Sequence, residues 1–358
     1  MQRYALIGDG ESPHLLKWAR ALAPRVDLWA ASSRGFLPGF DEVLPAARRL
    51  ALGTVPRFAG GNVGVLRVLP RLGRWLRGVD PDWIHAHYLT SHGTLAWLAR
   101  SIWRLKARMI GSAWGSDVLV APQRSAVMRW ITGRVLRNCT LTTSDSEHMA
   151  RQMRSLGARE VMVFPFGLES MPAPIAQKSA HSFYANRALE ALYAPERVLD
   201  LFANVATYWP DALLVLANDG SLRGALERRC REQPWGSRVS FVGRLDAAQQ
   251  QQHYARARWF VSLPRSDSVS VSVLEAMAHG CLPILSDLPA NRELVEHRRN
   301  GLIVGDDNLA DVVPALEELL LRADPVAGAN RAWVETHAVF PQAVDRFLAR
   351  LQQLNARP

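Results

Sequence analysis

The chain has 358 residues, enough for two domains of ordinary size, and 48% hydrophobic and 21% charged residues indicate a globular protein with a substantial core. No run of about 18 uncharged apolar residues is present, which excludes a conventional transmembrane helix, and we expect no signal peptide because the N-terminal residues lack its apolar core. The three cysteines have no metal-site spacing, which favours reduced thiols in a cytoplasm.

The positive charge is concentrated in the first half of the chain. Residues 1–168 contain 23 Lys and Arg against 11 Asp and Glu, whereas residues 169–358 contain 20 against 22. Only three of the 43 cationic residues are lysines. A basic half beside a nearly neutral half indicates an anionic partner for the first half.

The chain opens with a strand, a tight turn and a helix. Residues 4–7 have the apolar character of a buried strand, and a helix is predicted over residues 12–23. The turn between them contains Gly8 and Gly10. A glycine-rich turn at this point is where a doubly wound domain binds ligands, so both are candidate site residues. A plain tight turn explains the same pattern.

Residues 57–79 form a basic amphipathic segment. Arginines recur there at three- and four-residue spacing beside apolar residues, a pattern typical of helices that lie on anionic lipid. Two further basic runs with tryptophans follow, at residues 100–108 and 124–137. We therefore predict contact with an anionic membrane surface, with solvated helix faces as the alternative. Nucleic acid is not expected as a partner, because no recognition motif is present.

Two predicted strand ends in the first half carry polar residues. One strand contains His85 and His87 on the same face, since alternate strand residues share a face, and His87 is nearer the strand end. We predict a chemical role for His87 and a structural role for the other histidine. The next strand ends at Gly115, Ser116 and Asp117. Asp117 is expected either to accept a hydrogen bond from a substrate hydroxyl or to cap the segment after it.

The second half repeats the order of strand, turn and helix after a linker. The linker is predicted at residues 169–182, which are rich in Pro, Ala and Ser without periodicity. The following strands are predicted to end at Arg187, at Asp219, and at Gly243 and Arg244. Residues at such strand ends are candidate ligand contacts. For Arg244 a structural role is the alternative.

Residues 259–304 are the most informative stretch of the chain. They read as strand, loop, helix and strand, the unit of a doubly wound parallel sheet. Asp267 lies in the loop and Glu275 lies eight residues on, down the helix. We predict that free amides at the start of this helix hold a diphosphate, while the two carboxylates accept hydrogen bonds from sugar hydroxyls. The amides concerned are those of Ser270, Val271 and Ser272, and either Ser270 or Ser268 is predicted to cap the helix. This arrangement fits a nucleotide sugar, and ordinary loop and helix-surface roles are the alternative.

The run DSVSVSVLEAMAHGCLPILSD, followed by NRELVE and NGLIV, resembles the signature of the family 4 retaining glycosyltransferases, which have the GT-B fold. In that motif two glutamates are separated by seven residues. Glu275 matches the second glutamate, which in the family binds the nucleotide ribose. Asp267 takes the place of the first, which contacts the donor sugar, and Ser270 replaces a frequent glycine.

The resemblance implies roles for residues elsewhere in the chain. Arg187 falls where a family arginine grips the donor diphosphate, and a planar guanidinium binds a diphosphate in bidentate fashion. The lysine expected about five residues later is missing, and Tyr193 lies near its place. Residues 115–117 match a strand end that faces the inter-domain cleft, with Trp114 where a histidine is common. The context of His87 resembles that of members acting on cell-envelope glycans. The turn at residues 8–10 corresponds to a family loop under the reacting sugar.

These patterns predict a GT-B protein, α/β, with two Rossmann-like doubly wound domains facing each other across a cleft. We expect an acceptor-side domain at residues 1–168, the linker at 169–182, a nucleotide-sugar-binding domain at 183–335 and a C-terminal helix at 336–358 that packs back on the first domain. The residues predicted to take part in catalysis are His87, Asp117, Arg187 and Asp267.

The resemblance implies transfer of a sugar from a nucleotide-sugar donor to a glycan or glycolipid acceptor, with retention and without a metal or other cofactor. The expected setting is assembly of an envelope polysaccharide or lipopolysaccharide at the inner face of the cytoplasmic membrane. Two alternatives share the fold. One is a catalytically degenerate partner subunit, suggested by Asp267, Trp114 and the missing lysine; the other is a nucleotide-sugar epimerase.

Overall fold

The computed structural model describes residues 2–54, 63–173, 177–305 and 312–356. The chain divides into two compact units, one of Met1–Phe164 with Pro341–Pro358 and the other of Pro165–Phe340. Each unit is built around a parallel sheet with helices between its strands. The doubly wound α/β class predicted from the sequence is therefore confirmed for both halves.

Within the described residues, a seven-stranded parallel sheet forms the centre of the first unit. Its strands are β1 (Arg3–Gly8), β2 (Asp27–Ser32), β3 (Arg49–Ala51), β4 (Trp83–His87), β5 (Arg108–Ser112), β6 (Leu141–Ser144) and β7 (Val161–Val163). They lie in the order β3-β2-β1-β4-β5-β6-β7. The order reverses between β1 and β4. In doubly wound sheets, ligands bind at the carboxyl ends of the strands at such a reversal.

Six helices of the first unit lie between these strands. They are α1 (Pro13–Leu22), α2 (Leu69–Val79), α3 (Thr94–Ile102), α4 (Ala121–Arg124), α5 (Ala126–Asn138) and α6 (Glu147–Ser155), counted over the described residues. Ser12 caps the start of α1, and its hydroxyl accepts a hydrogen bond from the amide of His14 at 3.3 Å. Leu72 and Leu76 of α2 are fully buried in the core of this unit.

In the described part of the second unit, the sheet has six parallel strands. They are β8 (Ser179–Ala185), β9 (Leu213–Ala217), β10 (Val239–Gly243), β11 (Ala257–Ser262), β12 (Leu282–Ser286) and β13 (Leu302–Val304), in the order β10-β9-β8-β11-β12-β13. The order reverses between β8 and β11. Both faces of the sheet are buried, since Phe183 and Tyr184 are neighbours in β8 and pack into different clusters.

The described helices of the second unit follow the same alternation. They are α7 (Pro195–Tyr208), α8 (Arg223–Arg231), α9 (Ala247–Arg256), α10 (Val271–Ala278), α11 (Pro289–Leu294), α12 (Val312–Leu320) and α13 (Ala323–His337). A last helix, α14 (Phe340–Asn355), carries the chain into the C-terminal segment of the first unit. Within that unit the ring centroid of Phe347 lies 5.4 Å from that of Trp18.

Three boundaries differ from the sequence-based prediction. β8 begins at Ser179, so the end of the predicted linker is strand, because Ser179 to Ser182 continue the pairing with β9 and β11. The first unit ends at Phe164 rather than at residue 168, and residues 336–340 belong to the second unit. The C-terminal helix predicted at residues 336–358 begins at Phe340 as α14, because α13 continues to His337.

Candidate functional site

The centre of the candidate site in the second unit is an ion pair at the carboxyl edge of the sheet. Arg187 follows β8 and Asp267 follows β11, so the two residues flank the reversal of strand order. Nη2 of Arg187 lies 2.6 Å from Oδ2 of Asp267, and both side chains are 19% exposed. Burial raises the pKa of Asp267, and the guanidinium opposes that rise. Arg187, the predicted diphosphate contact, and Asp267, the predicted sugar contact, therefore bind each other in this structure.

Two further residues hold the same guanidinium. Nη1 of Arg187 donates a hydrogen bond to Oγ of Ser270, and the guanidinium carbon lies 4.5 Å from the centroid of the Tyr193 ring. Nε of Arg187 is buried without a hydrogen-bond partner among the described residues. Ser270 is the N-cap residue of α10, but its side chain makes no capping bond. The N-cap position predicted for Ser270 is confirmed, but its hydroxyl accepts a hydrogen bond from Arg187 instead of capping the helix.

The start of α10 supplies the predicted backbone donors. Val271 and Ser272 are the first two helical residues, so their amides have no intrahelical acceptor. Glu275 lies one turn further on, and its Oε2 accepts a hydrogen bond from the hydroxyl of Tyr254 at 3.0 Å. A guanidinium, two amides and two carboxylates thus gather around the first turns of one helix. This set can bind an anionic diphosphate flanked by hydroxyl groups.

The other predicted donor contacts lie at the ends of β9 and β10. The carboxylate of Asp219 accepts a hydrogen bond from the amide of Gly220 at 2.9 Å and lies 3.9 Å from the guanidinium of Arg223. Gly243 has a φ of +72°, a conformation that favours glycine. Arg244 is exposed and makes no hydrogen bond or ion pair with the described residues. Within the described residues, no hydrogen bond or ion pair joins these three residues to Arg187, and their role in donor binding stays a prediction.

In the first unit, the glycine turn follows β1 at the reversal of strand order. The amide of Gly10 donates to Oγ of Ser32 at 2.8 Å. A Cβ atom at Gly10 would overlap the carbonyl oxygen of Gly35, so the close approach of backbone requires glycine here. Gly8 ends β1, and a Cβ there would press against Leu15. The structure explains both glycines by packing, and their contact with a substrate stays a prediction.

The two histidines of β4 differ in their surroundings. His85 is fully buried, and its ring nitrogens lie 2.8 Å from the hydroxyl of Tyr4 and 2.6 Å from that of Ser112. Burial lowers the pKa of His85 to about 3. Both ring nitrogens of His85 are hydrogen-bonded, so this ring is structural, as predicted for one of the pair.

His87 retains one unused ring nitrogen. Its Nδ1 accepts a hydrogen bond from the indole of Trp114 at 3.1 Å, which assigns the hydrogen of the neutral ring to Nε2. Nε2 is buried and has no partner within the described residues. Burial, and secondarily the neighbouring His85, hold the pKa of His87 well below its usual value. The ring is thus neutral and positioned by Trp114, the residue that replaces the family's common histidine.

Asp117 organises the loops after β4 and β5. Its carboxylate accepts hydrogen bonds from the amides of Leu89 at 2.8 Å and Trp114 at 2.9 Å. Burial raises the pKa of Asp117 to about 6, and the amide bonds oppose the rise. Gly115 has a φ of +98°, which turns the chain out of β5, and Ser116 is exposed beside it. Asp117 therefore braces the loops after β4 and β5, and its contact with a substrate hydroxyl stays a prediction.

Sequence reasoning missed the residues that hold the two carboxylates of the second unit. Tyr254 and Asn186 connect to Glu275, and Tyr193, noted only as standing near the place of a missing lysine, stacks on Arg187. The position of Asn186 directly before Arg187 was the available signal, because both residues share one strand end. No sequence signal marks Tyr254, since its spacing is that of any buried helix residue.

The basic segments of the first unit differ in what they expose. Residues 57–62 of the first segment lie outside the described residues. In α2 the arginines face outward, but the apolar residues Leu72 and Leu76 are core, so this helix presents no apolar face. In α5, by contrast, Val127 is 65% and Trp130 55% exposed. No described helix is long and apolar enough to span a membrane.

Comparison with known families decides the assignment of the chain. Residues 188–322 match the family described as glycosyl transferases group 1, and residues 9–167 match the glycosyl transferase 4-like domain. The chain belongs to the group 1, family 4 glycosyltransferases. This glycosyltransferase assignment confirms the resemblance carried by Glu275 and the residues around it.

Two solved structures share the whole fold of this glycosyltransferase. Sucrose-phosphate synthase from Thermosynechococcus elongatus has a TM-score of 0.78 at 17% identity, covering 100% of both chains. HepE of Anabaena, solved in complex with UDP-glucose, has a TM-score of 0.77 at 14% identity, covering 98% of this chain and all of the other. The likeness shows the GT-B fold, as predicted.

One curated relative shares a shorter region. The GDP-mannose:cellobiosyl-diphosphopolyprenol alpha-mannosyltransferase of Xanthomonas campestris is 30% identical over 140 residues, which are 37% of this chain and 36% of the relative. The match thus spans about a third of the relative's length.

Proposed function

We propose that this chain transfers a sugar from a nucleotide-sugar donor to a glycan acceptor carried on a lipid. The observation that supports it most is the grouping of Arg187, Asp267 and Glu275 around the start of α10, at the reversal of strand order. In this proposal Arg187 and the first amides of α10 bind the donor diphosphate. Asp267 accepts hydrogen bonds from the donor sugar and Glu275 from the ribose.

We propose that the reaction retains the anomeric configuration and uses no metal. The bond from the anomeric carbon to the diphosphate oxygen breaks, and the bond to the acceptor oxygen forms on the same face of the sugar. The acceptor proton passes to the departing phosphate oxygen. Arg187 and the helix amides supply positive charge where the diphosphate gains negative charge, so they favour the transition state over the bound donor. No group of three or more His, Cys, Asp or Glu in the described ranges is arranged to bind a metal ion.

On the acceptor side, we propose a role for His87 and for the turns beside it. His87 lies at the end of β4, beside the glycine turn after β1, where the first sheet reverses its order. A neutral ring with a hydrogen on Nε2 can donate a hydrogen bond to a sugar oxygen. The name of the Xanthomonas campestris relative specifies a diphosphopolyprenol-linked acceptor. That name supports a lipid-linked acceptor here. We propose envelope polysaccharide assembly at the inner face of the cytoplasmic membrane as the setting.

The test is a thermal-shift screen of UDP, GDP, UDP-glucose and GDP-mannose against the wild type and Glu275→Ala. A ligand at about a hundred times its Kd stabilises the native state by about 2.7 kcal/mol. That corresponds to a rise in Tm of roughly 5–10 °C for a unit of this size. We expect one nucleotide series to raise the wild-type Tm and to lose most of that effect in the variant. If no nucleotide shifts the wild type, the donor assignment is wrong.

We further propose that the first unit binds anionic membrane through the outer face of α5. Val127 and Trp130 are exposed there, and the guanidinium of Arg134 lies 5.8 Å from the centroid of the Trp130 ring. Arg129 is exposed on the same helix. Exposed aromatic and apolar side chains among arginines are typical of surfaces that lie in the headgroup region. An acceptor carried on a lipid would then be available at the surface to which the protein binds.

The membrane proposal is tested by sedimentation with vesicles that contain or lack anionic phosphatidylglycerol. Each arginine near an anionic surface contributes about 1 kcal/mol, so a double Arg129→Gln and Arg134→Gln variant should bind roughly 30-fold more weakly at low salt. Trp130→Ser should weaken binding at all salt concentrations. Leu321→Ser is the matched control, since Leu321 is 91% exposed in the second unit. Equal binding of all variants would contradict the proposal.

A further inference from the structure

The two residues that follow β8 connect to both carboxylates of the candidate donor site. They are Asn186 and Arg187. Arg187 binds Asp267 directly, at 2.6 Å. The preceding residue, Asn186, reaches Glu275 through one intermediate, the phenol of Tyr254. One strand end therefore holds the two acidic groups, one by a charge and the other by a chain of hydrogen bonds.

The direction of each hydrogen bond in this chain is determined by its chemistry. Nδ2 of Asn186 carries two hydrogens and lies 2.7 Å from Oε1 of Gln250 and 2.7 Å from the hydroxyl oxygen of Tyr254. The phenol oxygen therefore accepts from the amide, and its own single hydrogen points to Oε2 of Glu275, at 3.0 Å. Hydrogen bonds that run in one direction polarise each other, and burial strengthens them.

Contacts with His279 and Lys178 also hold the phenol of Tyr254 in place. The ring of Tyr254 is buried and stacks on the ring of His279, with centroids 5.2 Å apart and planes at 23°. The ammonium of Lys178 donates to the backbone carbonyls of Tyr254 at 2.6 Å and of Ala257 at 2.8 Å. Lys178 is one of only three lysines in an arginine-rich chain. Its compact ammonium secures the end of α9, so the hydroxyl stays directed at Glu275.

We propose that Tyr254, held by Asn186, is a positioning residue that orients the Glu275 carboxylate toward the ribose hydroxyls of the donor. This inference rests on the proposed function, in which Glu275 binds the ribose. A carboxylate has about four acceptor positions, and the phenol occupies one while fixing the rotation of the group. Without that bond the carboxylate loses one of the contacts that fix its rotation, and more of its ordering must occur when the nucleotide binds. The hydroxyl of Tyr254 also interacts with the side chain of Ser272, and we assign Tyr254 no contact with the nucleotide.

The experiment measures Kd by calorimetry for UDP and GDP and for their 2′-deoxy and 3′-deoxy analogues. The proteins are the wild type, Tyr254→Phe and the matched control Tyr184→Phe, whose ring lies 5.1 Å from that of Tyr254 in the same buried cluster. A hydrogen bond to a carboxylate accounts for roughly a tenfold change in affinity. We expect Tyr254→Phe to bind the ribonucleotide about tenfold more weakly while the affinity for the deoxy analogue lacking the bound hydroxyl is nearly unchanged. Tyr184→Phe should keep the wild-type preference.

The outcomes separate this inference from the proposed function. An unchanged preference for ribose in Tyr254→Phe, or an equal loss of affinity for ribo and deoxy forms, overturns the positioning role. Asn186→Ala provides a second variant that leaves the phenol in place, and we expect it to reduce the preference in the same direction. Wild-type binding without any preference for ribose overturns the inference but leaves nucleotide binding intact. Absence of nucleotide binding by the wild type overturns both.

Discussion

The pairing of Arg187 with Asp267 leads to a prediction about donor affinity. If Arg187 binds the donor diphosphate, the nucleotide must compete with a carboxylate 2.6 Å away. Replacing Asp267 by Asn keeps the shape of the side chain and removes its charge. We therefore predict that Asp267→Asn binds nucleoside diphosphates more tightly than the wild type does.

The size of the effect follows from the geometry of the pair. Both side chains are 19% exposed, so this is a partly buried, charge-assisted hydrogen bond. In Asp267→Asn the guanidinium stays charged and can still donate to the amide oxygen, so the variant loses only the attraction between the two opposite charges. For a partly exposed pair that attraction contributes about 1 kcal/mol, which corresponds to roughly a fivefold gain in nucleotide affinity. If Asp267 also accepts hydrogen bonds from the donor sugar, the same variant should transfer sugar more slowly despite binding nucleotide better.

The assay is calorimetric titration of UDP and GDP, followed by turnover with the nucleotide sugar that binds. Asp219→Asn is the matched control, since Asp219 is a carboxylate at the same sheet edge that contacts Gly220 and Arg223 instead of Arg187. Because burial raises the pKa of Asp267, lowering the pH should protonate the carboxylate and move wild-type affinity toward that of the variant. Unchanged or weaker nucleotide binding by Asp267→Asn would refute the reasoning, because Arg187 would then not be the group that binds the diphosphate.

Three further predictions concern stability, each measured by denaturant unfolding. Asp117→Ala leaves two loop amides without an acceptor and should lower the free energy of unfolding by about 2–4 kcal/mol. The pKa of Asp117 is raised to about 6 in the folded chain, above its unfolded value, so the folded state binds more protons. The difference in free energy of unfolding between the wild type and Asp117→Ala should therefore widen as pH falls from 7 to 4, and a constant difference would contradict this. Gly10→Ala should destabilise the first unit, because a Cβ there overlaps a backbone carbonyl; an unchanged midpoint would contradict it. Phe347→Ala removes a fully buried ring that packs on Trp18 and should cost about 3–5 kcal/mol, while a loss below about 1 kcal/mol would show that α14 is not part of that core.

The fold could be predicted because its signals are local. Short apolar runs, strand-end turns and helix periodicity repeat along the chain, and in a parallel sheet they leave few topologies. The candidate residues were found for the same reason, since each follows a strand. Arg187 and Asp267 lie 80 positions apart and meet only because β8 and β11 are neighbours at the reversal of the sheet.

Amphipathic patterns were less informative about what a surface does. α2 has the arginine spacing of a membrane-binding helix, yet its leucines lie in the core of the first unit. A sequence shows that a helix has an apolar side but not what covers it. Trp130 in α5 stays exposed because no described element packs on that part of the helix, which only the structure reveals.

The departures of this chain from the family motif are related to one another by their contacts. Three of them lie in the second unit: Asp267 in place of a glutamate, Ser270 in place of a frequent glycine, and Tyr193 near the place of a missing lysine. All three contact Arg187: Asp267 and Ser270 bind its two terminal nitrogens, and the ring of Tyr193 lies against its face. Independent loss of function would scatter substitutions over the site. Convergence on one guanidinium instead indicates a site rebuilt around a single cation. This argument favours a working donor site over a degenerate subunit.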